Sequence, residues 1–322
     1  MKELKLKAMA KVNLGLDVVR RREDGYHELR MVMQSVYLYD QIRIGMAKQP
    51  GIHVRTNLSY LPTGEENLAY KAAHCLLEEF GIKSGLWIEL QKFIPVAAGL
   101  AGGSSDAAAV MVGVNRLFGL GLSLEELQER GVKLGADIPY CLLRGTALAE
   151  GIGEKLTALP QAPDCWVLLA KPKVHVSTKF VYGNLKVDAI PSHPDIDGQV
   201  QAIQNGDFAQ MADRMGNVLE TVTIPAFPVI QAIKDSMLSY GAVNAMMSGS
   251  GPTVFGLFDD REKAKAAYSR LRAGSMARDV YLTRFFHNRV KTSEALEKHR
   301  EQGLGNHDMS ANRNEEFQQM SV

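Results

Sequence analysis

Cysteine is scarce in this 322-residue chain: Cys75, Cys141 and Cys165 stand far apart, without metal-ligand spacing. Three scattered thiols build no disulfide framework, and they fit a reducing, cytoplasmic setting. A dominant charge is also missing. Formal net charge is +1, which gives neither the basic field expected of a nucleic-acid binder nor the acidic excess of a disordered chain. No long apolar run is present. The weakly apolar stretch from Ile94 to Val114 is broken by glycines, two serines and Asp106, which argues against a membrane span. Near the start, Lys5, Lys7 and Lys11 interrupt the apolar residues, so a signal-peptide core is not expected. The eight histidines form no ligand-spaced pair, and no metal-ligating residue is assigned. What remains is an ordinary globular composition, 46% hydrophobic and 23% charged, with length enough for two domains.

Pattern supplies the elements. Leu4, Leu6, Ala8 and Ala10 alternate with polar partners, Asp24-Gly25 marks a hairpin turn, and Met31–Ile44 resumes an extended pattern. The spacing of Leu68, Ala72, Leu76 and Leu77 predicts a helix over 67–80, closed by Gly81. Leu86–Leu90 reads as a strand. A glycine-rich loop opens at Pro95 and leads into a helix capped by Ser104 or Ser105 and running to Leu117. Ser123 and Glu126 form a capping-box signature. Proline marks a boundary at 160–163. Beyond it come a strand at 165–170, helices near 195–204, 208–219 and 228–240, and a strand–turn–strand over 242–258. A helix over 261–271 and a strand over 279–286 complete the pattern. Short strands alternating with helices imply an α+β or α/β architecture. The division expected is 1–160, 161–290 and a mobile polar tail over 291–322, with a short helix near 293–300.

Four segments carry chemistry. The first runs through Pro95, Val96, Ala97, Ala98, Gly99, Leu100, Ala101, Gly102, Gly103, Ser104 and Ser105. Closely spaced glycines let backbone N–H groups converge on an anion, and the helix that follows points its positive end at the same spot. The serine hydroxyls add donors for phosphate or a ligand for its magnesium ion. No lysine-serine pair follows, so this is not the familiar P-loop. A plain strand-to-helix turn is the competing reading, and Asp106 would repel phosphate unless it points away. The second segment places Lys11 inside an apolar strand with Asn13 on the same face, followed by Tyr26 and His27. A buried ammonium needs a partner, whereas a lysine snorkelling from an edge strand does not. In the third, Gly135 to Tyr140, Asp137 is either a cap or turn former or a general base. The fourth, Met247 to Gly256, reads as a tight glycine hairpin loop.

In this order the segments resemble the GHMP kinase superfamily. The residues that carry the likeness are A-K-V-N-L-G-L from Ala10, R-R-E-D-G-Y-H-E-L from Arg21, G-L-A-G-G-S-S-D-A-A from Gly99, G-A-D-I-P from Gly135 and M-S-G-S-G-P-T from Met247. The likeness spans about residues 5–286 and implies an α+β, two-domain fold. Its N-terminal half would resemble ribosomal protein S5 domain 2 and its C-terminal half a ferredoxin-like domain, with the site in the cleft between them. Ala101 departs from the pattern, standing where many relatives have glycine. The D-G-Y-H segment points to the branch acting on a cytidine diphosphate-linked methylerythritol in the non-mevalonate route to isoprenoid precursors. Another GHMP kinase, acting on homoserine or mevalonate, or a non-catalytic nucleotide binder of the same fold, are the rival readings. The implied cofactors are ATP and Mg2+, with no nucleic-acid or membrane partner. The resemblance makes Asp137 the general base for the substrate's 2-hydroxyl, with Lys11 stabilising charge on the transferring phosphoryl group. It puts residues 95–105 around the ATP phosphates and Asn67 and Lys92 near adenine and ribose. Asn13, Tyr26, His27, Thr178 and Tyr182 fall on the cytidyl part.

Overall fold

The structure, a computed structural model, describes residues 3–287. The alternating N-terminal pattern folds into two long antiparallel strands, β1 (Glu3–Arg21) and β2 (His27–Ala47). Their turn closes through Arg22 N–H to the Tyr26 carbonyl at 2.8 Å, and the Asp24 carboxylate accepts from Tyr26 N–H at 3.0 Å. Gly25 sits there at φ +86°, a conformation glycine adopts without strain. The first sheet adds β3 (Ile52–Thr56), β4 (Gly85–Gln91), β5 (Thr146–Gly151) and β6 (Lys155–Ala158). Its order is β3-β4-β2-β1, with β5 pairing a further stretch of β2 and β6 pairing β5. Helices α1 (Leu68–Glu79) and α2 (Gly102–Phe118) pack on each other, and α2 also packs on β1 and β2. Short helices α3 (Leu124–Gly131) and α4 (Ile138–Leu143) return the chain to the sheet. Apolar residues of β1, β2, β4, α1 and α2 form the core beneath them.

The second sheet consists of β7 (Trp166–Lys171), β9 (Asn244–Met247), β10 (Val254–Phe258) and β11 (Asp279–Arg284), all antiparallel in the order β11-β7-β10-β9. That is the 4-1-3-2 order of a ferredoxin-like unit. Between β7 and β9 run α5 (Thr178–Asn184), α6 (Ile196–Gln204), α7 (Phe208–Asp213), β8 (Gly216–Asn217), α8 (Glu220–Ala226) and α9 (Val229–Ser239). Helix α10 (Arg261–Ala273) joins β10 to β11. The proline-marked stretch 160–163 lies between β6 and β7. Strand β8 crosses back to pair in parallel with Gly15 and Leu16 of β1.

The sequence and the structure part in a few places. The helix expected over 208–219 stops at Asp213, because Gly216 and Asn217 leave the helix to pair with β1. Neither Ser104 nor Ser105 caps α2. Its N-cap is Ala101, at φ +54° and without a side-chain hydrogen bond, and both serines lie inside the first turn. By contrast, Asn67 caps α1 and the Ser123–Glu126 capping box forms. The tail over 291–322 lies outside the described residues. Among the described residues no helix is long and apolar enough to cross a membrane.

Candidate active site

Lys11 and Asp137 arrive from opposite directions. Lys11 sits mid-way along β1, only 5% exposed, and its ammonium donates to Asn13 Oδ1 at 2.7 Å. It is therefore not a snorkelling edge lysine. Asn13 Nδ2 points on to Met31 Sδ at 3.3 Å, and the β-bulge between Asn13 and Gly15 bends the strand beside the pair. Asp137 occupies the N-cap position of α4, with Pro139 in the first turn, yet its side chain makes no capping hydrogen bond. Its carboxylate instead lies 4.0 Å from Lys11 Nζ and remains 37% exposed. A buried cation thus faces a carboxylate that solvent or a substrate hydroxyl can reach.

The glycine loop shares a cleft with this pair. Pro95 through Gly99 and Ala101 through Ser104 line one cleft of about 890 Å3, together with Lys11, Asn13 and Asp137. Two members of the expected set face elsewhere. Leu100 is buried in the core, its carbonyl accepting from Lys11 N–H at 3.2 Å. Ser105 donates its hydroxyl to the Met9 carbonyl at 2.7 Å, so it anchors α2 to β1 rather than facing the cleft. Gly99 adopts φ +74°, and a Cβ there would come within 2.2 Å of the Ser248 carbonyl oxygen. The loop is that close to the turn after β9, where the Ser248 hydroxyl donates to the Gly99 carbonyl at 2.9 Å.

Asn67 and Lys92 line the same cleft, but their polar groups are already engaged. Asn67 accepts from Ala69 N–H at 2.8 Å and donates to the Pro62 carbonyl at 2.7 Å. The Lys92 ammonium is buried between the carboxylates of Asp40 and Asp106. Asp106 accordingly points at Lys92, which neutralises much of the repulsion it would exert on a phosphate. Burial first, then the charge of Asp40, pushes the Asp106 carboxyl up to about 8 against the pull of Lys92.

His27 and Tyr182 line the same cleft and are in contact, ring centroids 5.1 Å apart and planes tilted by 36°. Burial, then the charge of Arg21, holds the His27 imidazole below its usual value. Burial, then the charge of Asp137, drives the Tyr182 phenol upward. Tyr26 lines the cleft too but is 60% exposed. Thr178 Oγ1 meets Ser250 Oγ at 2.9 Å, joining α5 to the glycine turn of 249–251. That turn hangs on Asn217 of β8, whose amide donates to the Met247 and Gly249 carbonyls at 2.8 Å each.

Asp40 and Asn217 were not singled out by sequence reasoning, and Ser248 entered it only as part of the hairpin loop from Met247. For Asp40 a signal existed: Leu38, Ile42 and Ile44 share its inward side of β2, so period-two alternation buries it. Asn217 carried none, being one polar residue in a two-residue strand.

Comparison with known proteins bears on the family and the fold. The GHMP kinases N terminal domain matches residues 67–145 and the GHMP kinases C terminal domain residues 199–275. A 4-diphosphocytidyl-2-C-methyl-D-erythritol kinase from Lachnospira eligens is 55% identical over 286 residues, covering 89% of this chain and 99% of its own. The chain belongs to that kinase family. The same-named protein of Lachnoclostridium phytofermentans is 54% identical over 89% of this chain and 98% of its own. A crystal structure of a 4-(cytidine 5'-diphospho)-2C-methyl-D-erythritol kinase superposes with TM-score 0.76 at 34% identity, covering 88% of this chain and all of that one. The homoserine kinase of Cytophaga hutchinsonii, 22% identical with TM-score 0.71 over 88% of this chain and 95% of its own, shares the fold. In the kinase family's N-terminal domain, the matched stretch runs from the α1 cap through the glycine loop to just past α4.

Proposed function

We propose that this chain transfers the γ-phosphoryl group of ATP to the 2-hydroxyl of 4-diphosphocytidyl-2-C-methyl-D-erythritol. The observation that carries the reading is the Lys11–Asp137 pair at 4.0 Å, which shares one cleft with the glycine loop and the His27–Tyr182 rings. In this proposal Asp137 accepts the hydroxyl proton while the oxygen forms a bond to the γ-phosphorus. The bond to the β,γ-bridging oxygen breaks, and ADP leaves with that electron pair. Lys11, held on Asn13, stabilises the charge spread over the transferring group. The loop backbone and the start of α2 hold the β- and γ-phosphates by N–H donation. His27, Tyr182, Tyr26, Asn13 and Thr178 take the cytidyl end.

Magnesium fits as a companion of the triphosphate. Among the described residues no group of three or more histidine, cysteine, aspartate or glutamate side chains is placed to hold an ion, and Mg2+ commonly binds through substrate phosphates and water. Ser104, the loop serine that lines the cleft, would offer it a hydroxyl oxygen. When bound, the ion neutralises phosphate charge. The deciding experiment is a coupled ADP-release assay with ATP and each of three alcohols: 4-diphosphocytidyl-2-C-methyl-D-erythritol, homoserine and mevalonate. Turnover with the first alone is expected. Turnover with either of the others at comparable kcat/KM, or with none, overturns the reading.

A further inference from the structure

The loop that faces the phosphates is held at both ends by one buried set of charges. Its start follows β4 directly. There, Asp40 Oδ1 accepts from the backbone N–H groups of Phe93 at 2.5 Å and Ile94 at 2.8 Å. The other oxygen of Asp40 receives the Lys92 ammonium, which also reaches Asp106 Oδ2 at 2.5 Å in the first turn of α2. Asn57 fixes the Lys92 backbone from both sides, accepting from its N–H at 2.8 Å and donating to its carbonyl at 3.1 Å. All three ionisable side chains are buried, Asp40 completely. Gly102 lets the start of α2 settle onto this cluster, since a Cβ there would lie 3.1 Å from Ile94 Cγ2 and 3.5 Å from Lys92 Nζ.

Three buried ionisable side chains are a costly way to obtain stability alone. Their desolvation penalty consumes much of the attraction, and an apolar replacement is often no less stable. What such a cluster supplies in return is fixed geometry, and here it fixes the separation between the loop's first N–H groups and the helix's first turn. We propose that Lys92 is a positioning residue that clasps the two ends of the phosphate loop through Asp40 and Asp106. It acts on the nucleotide through the loop backbone, without touching adenine or ribose. The inference rests on the reading that this loop holds the triphosphate.

A clasp and a direct adenosine contact differ in which nucleotide feels their loss. Binding of ATP and AMP to the full-length chain, measured by calorimetric titration, separates them. Lys92→Met and Asp106→Ala each lose ATP affinity about tenfold or more, the scale of one charge-assisted hydrogen bond, while AMP affinity stays at the wild-type value. The double variant loses no more than the worse single variant, because both substitutions break one linkage. Lys92→Met leaves two buried carboxylates unpaired. Should it fail to fold, Asp106→Ala, which keeps the neutral Lys92–Asp40 pair, carries the test by itself. Wild-type ATP affinity in folded Asp106→Ala, or equal losses for ATP and AMP, overturns the clasp and leaves the proposed function standing. A wild-type chain that binds no ATP removes that function and the clasp with it.

Discussion

At the scale of single residues, the site depends on side chains denied their ordinary occupations. Asp137 stands where a helix cap would stand, but its carboxylate faces Lys11 rather than the α4 backbone. Asp137→Asn keeps size and polarity and removes the proton acceptor. Turnover should fall by ~10²- to 10⁴-fold, the usual reach of a general base, with ATP affinity unchanged in a titration; a folded variant within about tenfold of wild type rules the role out. His27 yields a second prediction. Burial lowers its pKa below the ordinary 6.5, so the folded state favours the neutral ring. The stability that goes with the neutral form is present above pH 6.5 and is lost as pH falls through the lower, folded value. Substrate KM should therefore rise on acidification below that range while ATP KM stays level, and His27→Gln should flatten the profile. A profile for His27→Gln as steep as that of wild type would remove His27 from the substrate end. Lys11, Asn13 and Asp137 were legible as residue types in odd company, a lysine in an apolar strand and an aspartate before a proline turn. That Ser105 turns to Met9 was not legible, because two adjacent serines at the start of a helix look alike in sequence and differ by a rotation of about 100° about its axis.

At the scale of elements, the segments read most easily were those with strong local chemistry: the β1–β2 hairpin, α1 with its asparagine cap, and α3 with its capping box. Strands β3, β5 and β6 were missed because they are short and lean on neighbours. Ile52, His53, Val54 and Arg55 do alternate, but over a run of only five residues, and small alanines dominate β5 and blur its period of two. The start of α2 carries the clearest element-level prediction. Ala101 caps the helix at φ +54° and Ala97 sits at φ +50°, a left-handed conformation that costs an L-residue about 1–2 kcal/mol. Ala101→Gly relieves that strain and should raise thermal stability by about 2 °C, after allowance for the greater freedom of glycine in the unfolded chain. Gly99→Ala does the reverse. Its Cβ would press on the Ser248 carbonyl in an already left-handed backbone, so the loop must move, and both stability and ATP affinity should fall. Melting curves for the two variants check the pair. Equal shifts of the same sign would mean that the loop relaxes freely around either position.

At the scale of the whole molecule, the cleft exists because the two sheets are tied at several points along its length. Arg30 of β2 bonds Asp197 of α6 at 2.7 and 3.0 Å, Ser248 joins the glycine loop, and β8 adds itself to β1. The last tie is made by the two residues that follow β11. Phe285 is buried and pairs with Val36, and Phe286 N–H donates to the Ser35 carbonyl at 2.8 Å while its own carbonyl accepts from Gln34 at 3.0 Å. The required body therefore extends through Phe286, and every residue assigned to the cleft precedes it. Ending the chain at Val290 should then leave folding and turnover at wild-type levels. Ending it at Arg284 deletes a fully buried phenylalanine and both backbone pairings with β2, a loss on the order of 3–5 kcal/mol from the side chain alone. Soluble yield, melting temperature and turnover of the two truncations test the boundary. Equal damage in both would place an essential contact after Val290, and equal tolerance would show that the β11–β2 tie is dispensable.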